Sequence, residues 1–165
     1  MSDAHLSTVL PSPVGDLTVV ATDRGIRAVL WPGDDDSRVP LPETVPDPER
    51  RHPVLAAAAT QLTEYFEGTR TTFDLPLDLR GTDFQEASWR ALVAIPYGAT
   101  TTYQAVARRL GRPTAARAVG AATGRNPISI VVPCHRVVGS DGSLTGFAGG
   151  IVAKRWLLRH EGAFG

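Results

Sequence analysis

The chain has 165 residues, 42% of them hydrophobic and 21% charged, with 17 Lys and Arg balancing 17 Asp and Glu. Such a composition suits a folded globular chain and argues against disorder, a collagen-like repeat or a membrane protein, because its longest apolar runs fall short of the ~20 residues that span a bilayer. A single cysteine, Cys134, excludes both an internal disulfide and a zinc site built on several thiolates.

The zero net charge conceals an asymmetry. Residues 1–79 carry 6 Arg and no Lys against 13 acids, and residues 80–165 carry 10 Arg and 1 Lys against 4, so the halves stand at −7 and +7. A basic half is what contact with a polyanion such as nucleic acid requires; two oppositely charged lobes that simply attract each other would give the same pattern. The opening stretch MSDAHLSTVLPSPVG has neither a basic start nor an unbroken apolar run, so it does not read as a signal peptide and a cytoplasmic protein is expected.

In chain order, HLSTVLPS and GDLTVVATDRGIRAVLWP place β-branched and aliphatic residues around turn signals at Pro11–Gly15 and Asp23-Arg24-Gly25, which predicts strands joined by tight hairpins. From Gly33 to Pro53 three consecutive aspartates and five prolines predict a loop or linker. The segment HPVLAAAATQLTEYFEG predicts a helix with Val54, Leu55, Ala58, Leu62 and Phe66 on one face and a stop at Gly68. TTFDLPLDL reads as extended and leads into a second lobe at about Arg80. There, GTDFQEASWRALVAIPYG predicts a helix capped by Thr82 or Asp83, with Phe84, Trp89, Leu92 and Val93 buried.

TTTYQAVARRLGRPTAARAVGAATGRNP predicts a short helix capped by Thr101 or Thr102 and ending at Leu110-Gly111, then a second from Thr114 to Gly124. Helix, glycine-containing turn, helix is the pattern of a helix-turn-helix, though many helical hairpins share it. The second helix is nearly bare: between Thr114 and Gly124 Arg117 is the one charged side chain among alanines and glycines. Small residues of this kind serve close packing on another helix or close approach to a ligand, and a lone Arg on such a surface can insert between base pairs or pair with phosphate.

ISIVV, 128–132, is short, β-branched and apolar, and predicts a buried strand that ends at Pro133 and leaves Cys134 at its terminus. A buried cysteine is commonly inert packing, but His135 and Arg136 beside it are groups that favour a thiolate. In an extended strand neighbouring side chains point to opposite faces, so His135 reaches the sulfur only if the chain turns there or through a water. Glu161, at the end of the helical stretch VAKRWLLRHEG, could orient His135 as the third member of a relay or be a solvated helix-end residue. Between them the glycine-rich GSLTGFAGGI carries Phe147, which suits either a pocket wall for a flat ligand or a surface turn.

VPCHRVVG, preceded by RAVGAATGRNP and followed by GFAGG and KRWLLRHEG, closely resembles the O6-alkylguanine-DNA alkyltransferases, a family of direct-reversal DNA repair proteins. The resemblance runs from about Gly81 to Gly162, and SPVGDLTVVAT and GIRAVLW resemble the family's first lobe. It implies an α+β fold of two lobes: a small β-sheet plus helix over 1–79, and a mostly helical DNA-binding and alkyl-acceptor domain over 80–165. The implied substrate is double-stranded DNA carrying O6-alkylguanine, with O4-alkylthymine beside it. Base flipping through the minor groove and a single, irreversible transfer to Cys134 without a cofactor would follow. His135 would act as base through a water, Glu161 would orient it, and Asn126 would join the network to the recognition helix. Arg117 would fill the gap left by the flipped nucleotide and Tyr103 would rotate the target phosphate.

By the same resemblance Thr102, Ala118, Ala121, Thr123 and Gly124 line the DNA face, and Tyr103, Val137, Phe147, Ala148 and Gly149 the substrate pocket. A non-reactive alkylated-base-binding protein of the same fold is the alternative, against which the intact PCHR stands. The expected protein is a monomer without a membrane partner; cooperative binding along DNA stays open. Phe147 and Ala148 depart from the Tyr and Ser found in some members, which removes one hydroxyl contact to O6. The cysteine-bound zinc that some members hold in the first lobe cannot be copied by a chain whose one cysteine is Cys134.

Overall fold

The computed structural model describes residues 3–34 and 36–163; Asp35 in the middle of the aspartate run lies outside the described residues, as do Met1, Ser2, Phe164 and Gly165. The chain divides into two units, Met1–Arg80 and Gly81–Gly165.

The first unit is a four-stranded sheet carrying one helix. Strands β1 (His5–Leu10), β2 (Leu17–Thr22) and β3 (Gly25–Leu30) form antiparallel hairpins at the two turns read from the sequence. The expected linker contains a further strand, β4 (Thr44–Pro46), which pairs parallel with β1 and completes the order β3-β2-β1-β4. Its prolines hid it: at a sheet edge a missing N–H costs no ladder bond. Val20 and Ala28, paired across the hairpin, pack with Val39, Leu30 and Leu41, so this proline-rich stretch covers one face of the sheet.

Helix α1 (Pro53–Glu67) packs against β2 and β3. His52 Nδ1 accepts the Val54 N–H at 3.2 Å, Pro53 occupies the first turn, and Gly68 at φ 82° closes the helix with its N–H on the Glu64 and Tyr65 carbonyls. Leu55, Ala58, Leu62 and Tyr65 form the buried stripe. Phe66, expected there, is half-buried and Tyr65 is fully buried in its place; both fit helical spacing from Leu62, and the packing of α1 on β2 and β3 decides between them.

The extended segment after α1 runs beside β3: Ile26 N–H donates to Pro76 O at 2.8 Å and Asp78 N–H to Ile26 O at 2.8 Å. Asp78 is buried and accepts from the Thr22 hydroxyl at 2.6 Å and from the Arg80 guanidinium. Burial raises this carboxyl, but the Arg80 and Thr22 donors outweigh it and hold the group below its ordinary value.

The second unit holds four helices around an irregular core segment. Helix α2 (Asp83–Val93) starts at Thr82 with a full capping box, its hydroxyl accepting the Gln85 N–H at 3.1 Å while Gln85 Oε1 accepts the Thr82 N–H at 3.0 Å. Ser88, Trp89 and Leu92 are buried, and Ile95 follows beyond the helix end. Phe84 is half-buried under Arg112, 5.7 Å from its ring centroid, and Val93 is 48% exposed, because both fall off the 88/89/92 stripe. Strand β5 (Thr101–Thr102), helices α3 (Tyr103–Arg109) and α4 (Ala116–Gly124), a 3-10 turn at Cys134–Arg136, strand β6 (Val137–Val138) and helix α5 (Ile151–His160) complete the unit.

Helix α4 begins two residues later than expected: Thr114 is exposed in a turn closed by Ala115 N–H on Arg112 O at 2.9 Å, and no side chain caps the helix. Residues 128–132 are not a strand. Val132 N–H bonds Ile128 O at 2.9 Å and Ile130 sits at φ 74°, so the apolar run is coiled into a buried loop. Burial on all sides explains the β-branched composition without a sheet.

Gly25 offers a test of how the first unit closes. Its φ is 147°, and an added Cβ would lie 2.4 Å from the Pro76 carbonyl oxygen, whereas at Gly33, φ 68°, nothing among the described residues lies within 4 Å. Gly25→Ala is expected to destabilise the fold by more than about 1 kcal/mol and by more than Gly33→Ala, read as urea midpoints; equal costs would show that β3 and the 76–78 segment separate freely.

Candidate active site

Four local devices deliver the side chains. Pro133, at φ −81° and ψ 64°, is the centre of an inverse γ-turn closed by Cys134 N–H on Val132 O at 2.8 Å. The chain then winds through the 3-10 turn, whose successive side chains are splayed by about 120°. That is the turn that lets Cys134, His135 and Arg136 share one buried region, where an extended strand would have set the first two on opposite faces. Third, β5 pairs parallel with β6, which ties the start of α3, and with it Tyr103, to the segment after the cysteine. Fourth, Trp89 Nε1–H donates to Ala122 O at 2.7 Å and anchors α4 on α2.

Cys134 is 4% exposed and His135 fully buried. His135 Nε2 lies 2.7 Å from Glu161 Oε2, while Nδ1 is buried with no hydrogen-bond partner among the described residues. Glu161 is the C-cap of α5 and its side chain is wholly buried against His135, so it is not a solvated helix end. It also accepts from Arg136 Nε at 2.8 Å and from a terminal guanidinium nitrogen at 3.1 Å. Burial pushes His135 below the usual histidine range; the Glu161 bond opposes this, and the charges of Arg136 and Lys154 add to it.

Asn126 is fully buried at the exit of α4. Its Nδ2 donates to Val132 O at 2.9 Å and its Oδ1 accepts the Ile128 N–H at 3.0 Å. Val132 O therefore accepts from both Asn126 and the Cys134 backbone, a direct link between the end of α4 and the cysteine.

On α4 the exposed positions are Arg117, Ala118, Ala121, Gly124 and Arg125, one continuous stripe, while Val119, Ala122 and Thr123 turn inward. The small residues of the stripe are thus presented outward within this unit. Thr123 belongs to the other side, 9% exposed with its hydroxyl donating to Val119 O at 2.7 Å, because it falls on the same face as Val119. Thr102 is half-buried and caps α3, accepting the Ala105 N–H at 3.1 Å. Gly120 lies under the Tyr103 ring, where an added Cβ would touch at 3.7 Å.

The loop of residues 139–150 brings up the other side. The Tyr103 and Thr145 hydroxyls are 2.6 Å apart, Phe147 and Gly149 are half-buried, Ala148 is exposed and Val137 is buried. Two residues beyond the expected set complete the region. Lys154 is 1% exposed, donates to Val137 O at 2.7 Å and lies 5.9 Å from the Phe147 ring centroid. Burial lowers its ammonium and the nearby Cys134 acts in the opposite sense. Arg136 is the second. A Lys and an Arg in a helix and a turn carry no sequence sign of burial, so both were legible only as positive charge. Among the described residues no cluster of three or more His, Cys, Asp or Glu is placed to hold a metal, and no helix is long and apolar enough to cross a membrane.

Comparison with known proteins gives this arrangement a context. Residues 6–79 match the family model described as "6-O-methylguanine DNA methyltransferase, ribonuclease-like domain", and residues 83–163 match "6-O-methylguanine DNA methyltransferase, DNA binding domain". The methylated-DNA–protein-cysteine methyltransferase of Mycobacterium tuberculosis is 46% identical over 162 residues, covering 95% of this chain and 92% of its own. The protein of the same name from Shigella flexneri is 44% identical over 163 residues, 95% of both chains. Among solved structures, Mycobacterium tuberculosis OGT in complex with DNA superposes with a TM-score of 0.86 at 45% identity, covering 96% of this chain and 93% of that one. Across both of its units, this chain belongs to the 6-O-methylguanine DNA methyltransferase family.

Proposed function

We propose that this chain repairs alkylated duplex DNA by taking the alkyl group from O6-alkylguanine onto Cys134, once and irreversibly. One observation carries the assignment of the acceptor. The similar proteins are named for transfer to a protein cysteine, and this chain has one cysteine, buried in a turn beside a His–Glu–Arg cluster.

The thiolate is the nucleophile. Cys134 gives its proton, through a water, to His135 Nδ1, the ring nitrogen with no hydrogen-bond partner among the described residues. Burial that holds His135 below the usual histidine range keeps it neutral and able to accept at pH 7. The sulfur attacks the alkyl carbon in line, the S–C bond forms as the C–O6 bond breaks, and the electron pair leaves on guanine O6, to be protonated. The thioether product has no route back, so each molecule acts once. Lys154 and the Tyr103–Thr145 hydroxyl pair support the pocket loop in which Val137, Phe147, Ala148 and Gly149 would meet the base.

A stacked base cannot present O6 to a buried sulfur, so flipping is required. The outward stripe of α4 is suited to a minor groove, with Arg117 filling the vacated stack and Ala118, Ala121 and Gly124 permitting close approach. Thr102 would approach the backbone from the start of α3. The +7 half supports phosphate contact. O4-alkylthymine is the second substrate this pocket would take. The protein would act as a monomer in the cytoplasm, where its one thiol stays reduced, with no membrane partner.

Incubation with a duplex containing O6-methylguanine is expected to add one methyl to the intact mass of the protein, on the peptide bearing Cys134, and none to Cys134→Ala. Binding of the lesion without any mass change would instead favour a non-reactive alkylated-base-binding protein. Arg117→Ala should slow transfer from duplex DNA by about tenfold or more, since unstacking a base costs a few kcal/mol, while leaving the rate of Cys134 modification by iodoacetamide unchanged. Equal rates on duplex DNA would remove Arg117 from the flipping step.

A further inference from the structure

The mechanism above uses His135, held on Glu161, and leaves Arg136 idle, although its guanidinium is the more heavily bonded neighbour. It is 5% exposed, and its guanidinium spans three partners: Nε on Glu161 Oε1 at 2.8 Å, one terminal nitrogen on Glu161 Oε2 at 3.1 Å, the other on Ile95 O at 2.6 Å. Its carbon lies 5.8 Å from the Tyr97 ring centroid. A guanidinium keeps its charge at any physiological pH, and this fork grips both carboxylate oxygens.

Oε2 therefore accepts from two directions, Arg136 on one side and His135 Nε2 on the other. An oxygen already accepting a charge-assisted bond is a poor place for the proton shared with His135. The proton stays on Nε2, and the lone pair falls on Nδ1. The charged and titratable groups around the ring come from each element against it: Cys134 and Arg136 from the 3-10 turn, Lys154 from α5, Glu161 from its C-cap, and Tyr97, packed on the Arg136 guanidinium, from the loop after α2. Of these only Glu161 favours an imidazolium in the resting site. A lone buried carboxylate at 2.7 Å would draw the ring toward that charged form, and Arg136 engages the same carboxylate first.

We propose that Arg136 is a positioning residue for alkyl transfer: its fork on Glu161 fixes His135 in the Nε2–H tautomer and its charge keeps the ring neutral, so that Nδ1 is the proton acceptor for Cys134. This rests on the proposed reaction only for its kinetic consequence; the tautomer and charge of His135 are properties of the resting protein. When the thiol ionises, its S–H bond breaks, an N–H bond forms at Nδ1, and the imidazolium is held by Glu161 with Arg136 still in place.

Two measurements test it. In the protein labelled with 15N at its 4 histidines, long-range 1H–15N correlation spectra over pH 5 to 8, with His135 assigned by loss of its signals in His135→Gln, should show a ring protonated at Nε2 and neutral at pH 7, titrating below the ordinary histidine value. Arg136→Gln should move the His135 titration to higher pH and carry the acid limb of single-turnover methyl transfer up with it, about tenfold in rate below the limb for each pH unit. Arg136→Lys, which keeps the charge and loses the fork, should restore the position of the limb and leave a lower plateau.

A wild-type His135 protonated at Nδ1, or charged at pH 7, would overturn the proposal, as would an Arg136→Gln protein whose His135 titration and rate profile are unchanged. Should Arg136→Gln fail to fold, the wild-type spectra and Arg136→Lys decide the matter. Expected spectra in a protein that transfers no methyl would refute the proposed reaction and leave the role of Arg136 standing.

Discussion

A buried carboxylate must be held by protein donors, because water no longer solvates it, and in the second unit Glu161 is that group. It gathers His135 and Arg136 from the 3-10 turn onto the end of α5, and Arg136 extends the same network to Ile95 beyond α2. Three separate stretches of chain are thereby fixed around one negative charge. Removing one partner from a buried pair of this kind costs about 3–5 kcal/mol, because the other is left uncompensated. The cysteine itself contributes little to this. Its position is set by Pro133 and Val132 on one side and by the His135-Arg136 anchor on the other.

How much of this was legible in the residues varies with the kind of interaction. The hairpins of the first unit, a helix cap at Thr82 or Asp83, the stop at Gly68 and the short α3 were readable because local rules govern them: turn residues at a turn, a cap followed by helical spacing. What local rules did not reach was set by tertiary contact. Residues 128–132 carry the composition of a strand, yet their backbone bonds close within the loop and onto Asn126. The edge strand β4 was hidden among prolines. Tyr65 and Phe66 are adjacent aromatics, and only the packing against β2 and β3 decides which is buried.

The site shows the same division. Cys134, His135 and Glu161 were found through the PCHR and RHEG stretches, but the question of how adjacent residues could cooperate had no answer until the chain was seen to turn at Pro133. Asn126 was placed in a network by resemblance; its two bonds, to Val132 O and from Ile128, give that placement a geometry. Arg136 and Lys154 were invisible as buried groups, since charged residues are expected at the surface and nothing in their neighbours' spacing marks the exception. Thr123 shows the converse. The bare helix read as uniformly smooth, and only its rotation on α2 separates the outward stripe from the face that carries Thr123 inward.

That stripe constrains what recognition can rest on. Ala118, Ala121 and Gly124 carry no side-chain donors or acceptors to distinguish one base pair from another, and the two arginines of the stripe, Arg117 and Arg125, offer donors alone. Affinity must then come from backbone and phosphate contact, which is sequence-independent. On the proposed reading, discrimination between a damaged and an intact base is left to the pocket formed around Tyr103, Val137 and the 139–150 loop. In that loop the Tyr103 hydroxyl is already engaged with Thr145, and Ala148 has no hydroxyl to offer. Selectivity for the lesion therefore falls on backbone N–H groups of the loop and on the chemistry of the thiolate, which reacts with an alkyl carbon activated by its oxygen and has nothing to attack on an intact guanine. Lys154 donates both to Thr145 O in that loop and to Val137 O, three residues beyond the sulfur, so the wall of the pocket and the nucleophile are positioned through one side chain.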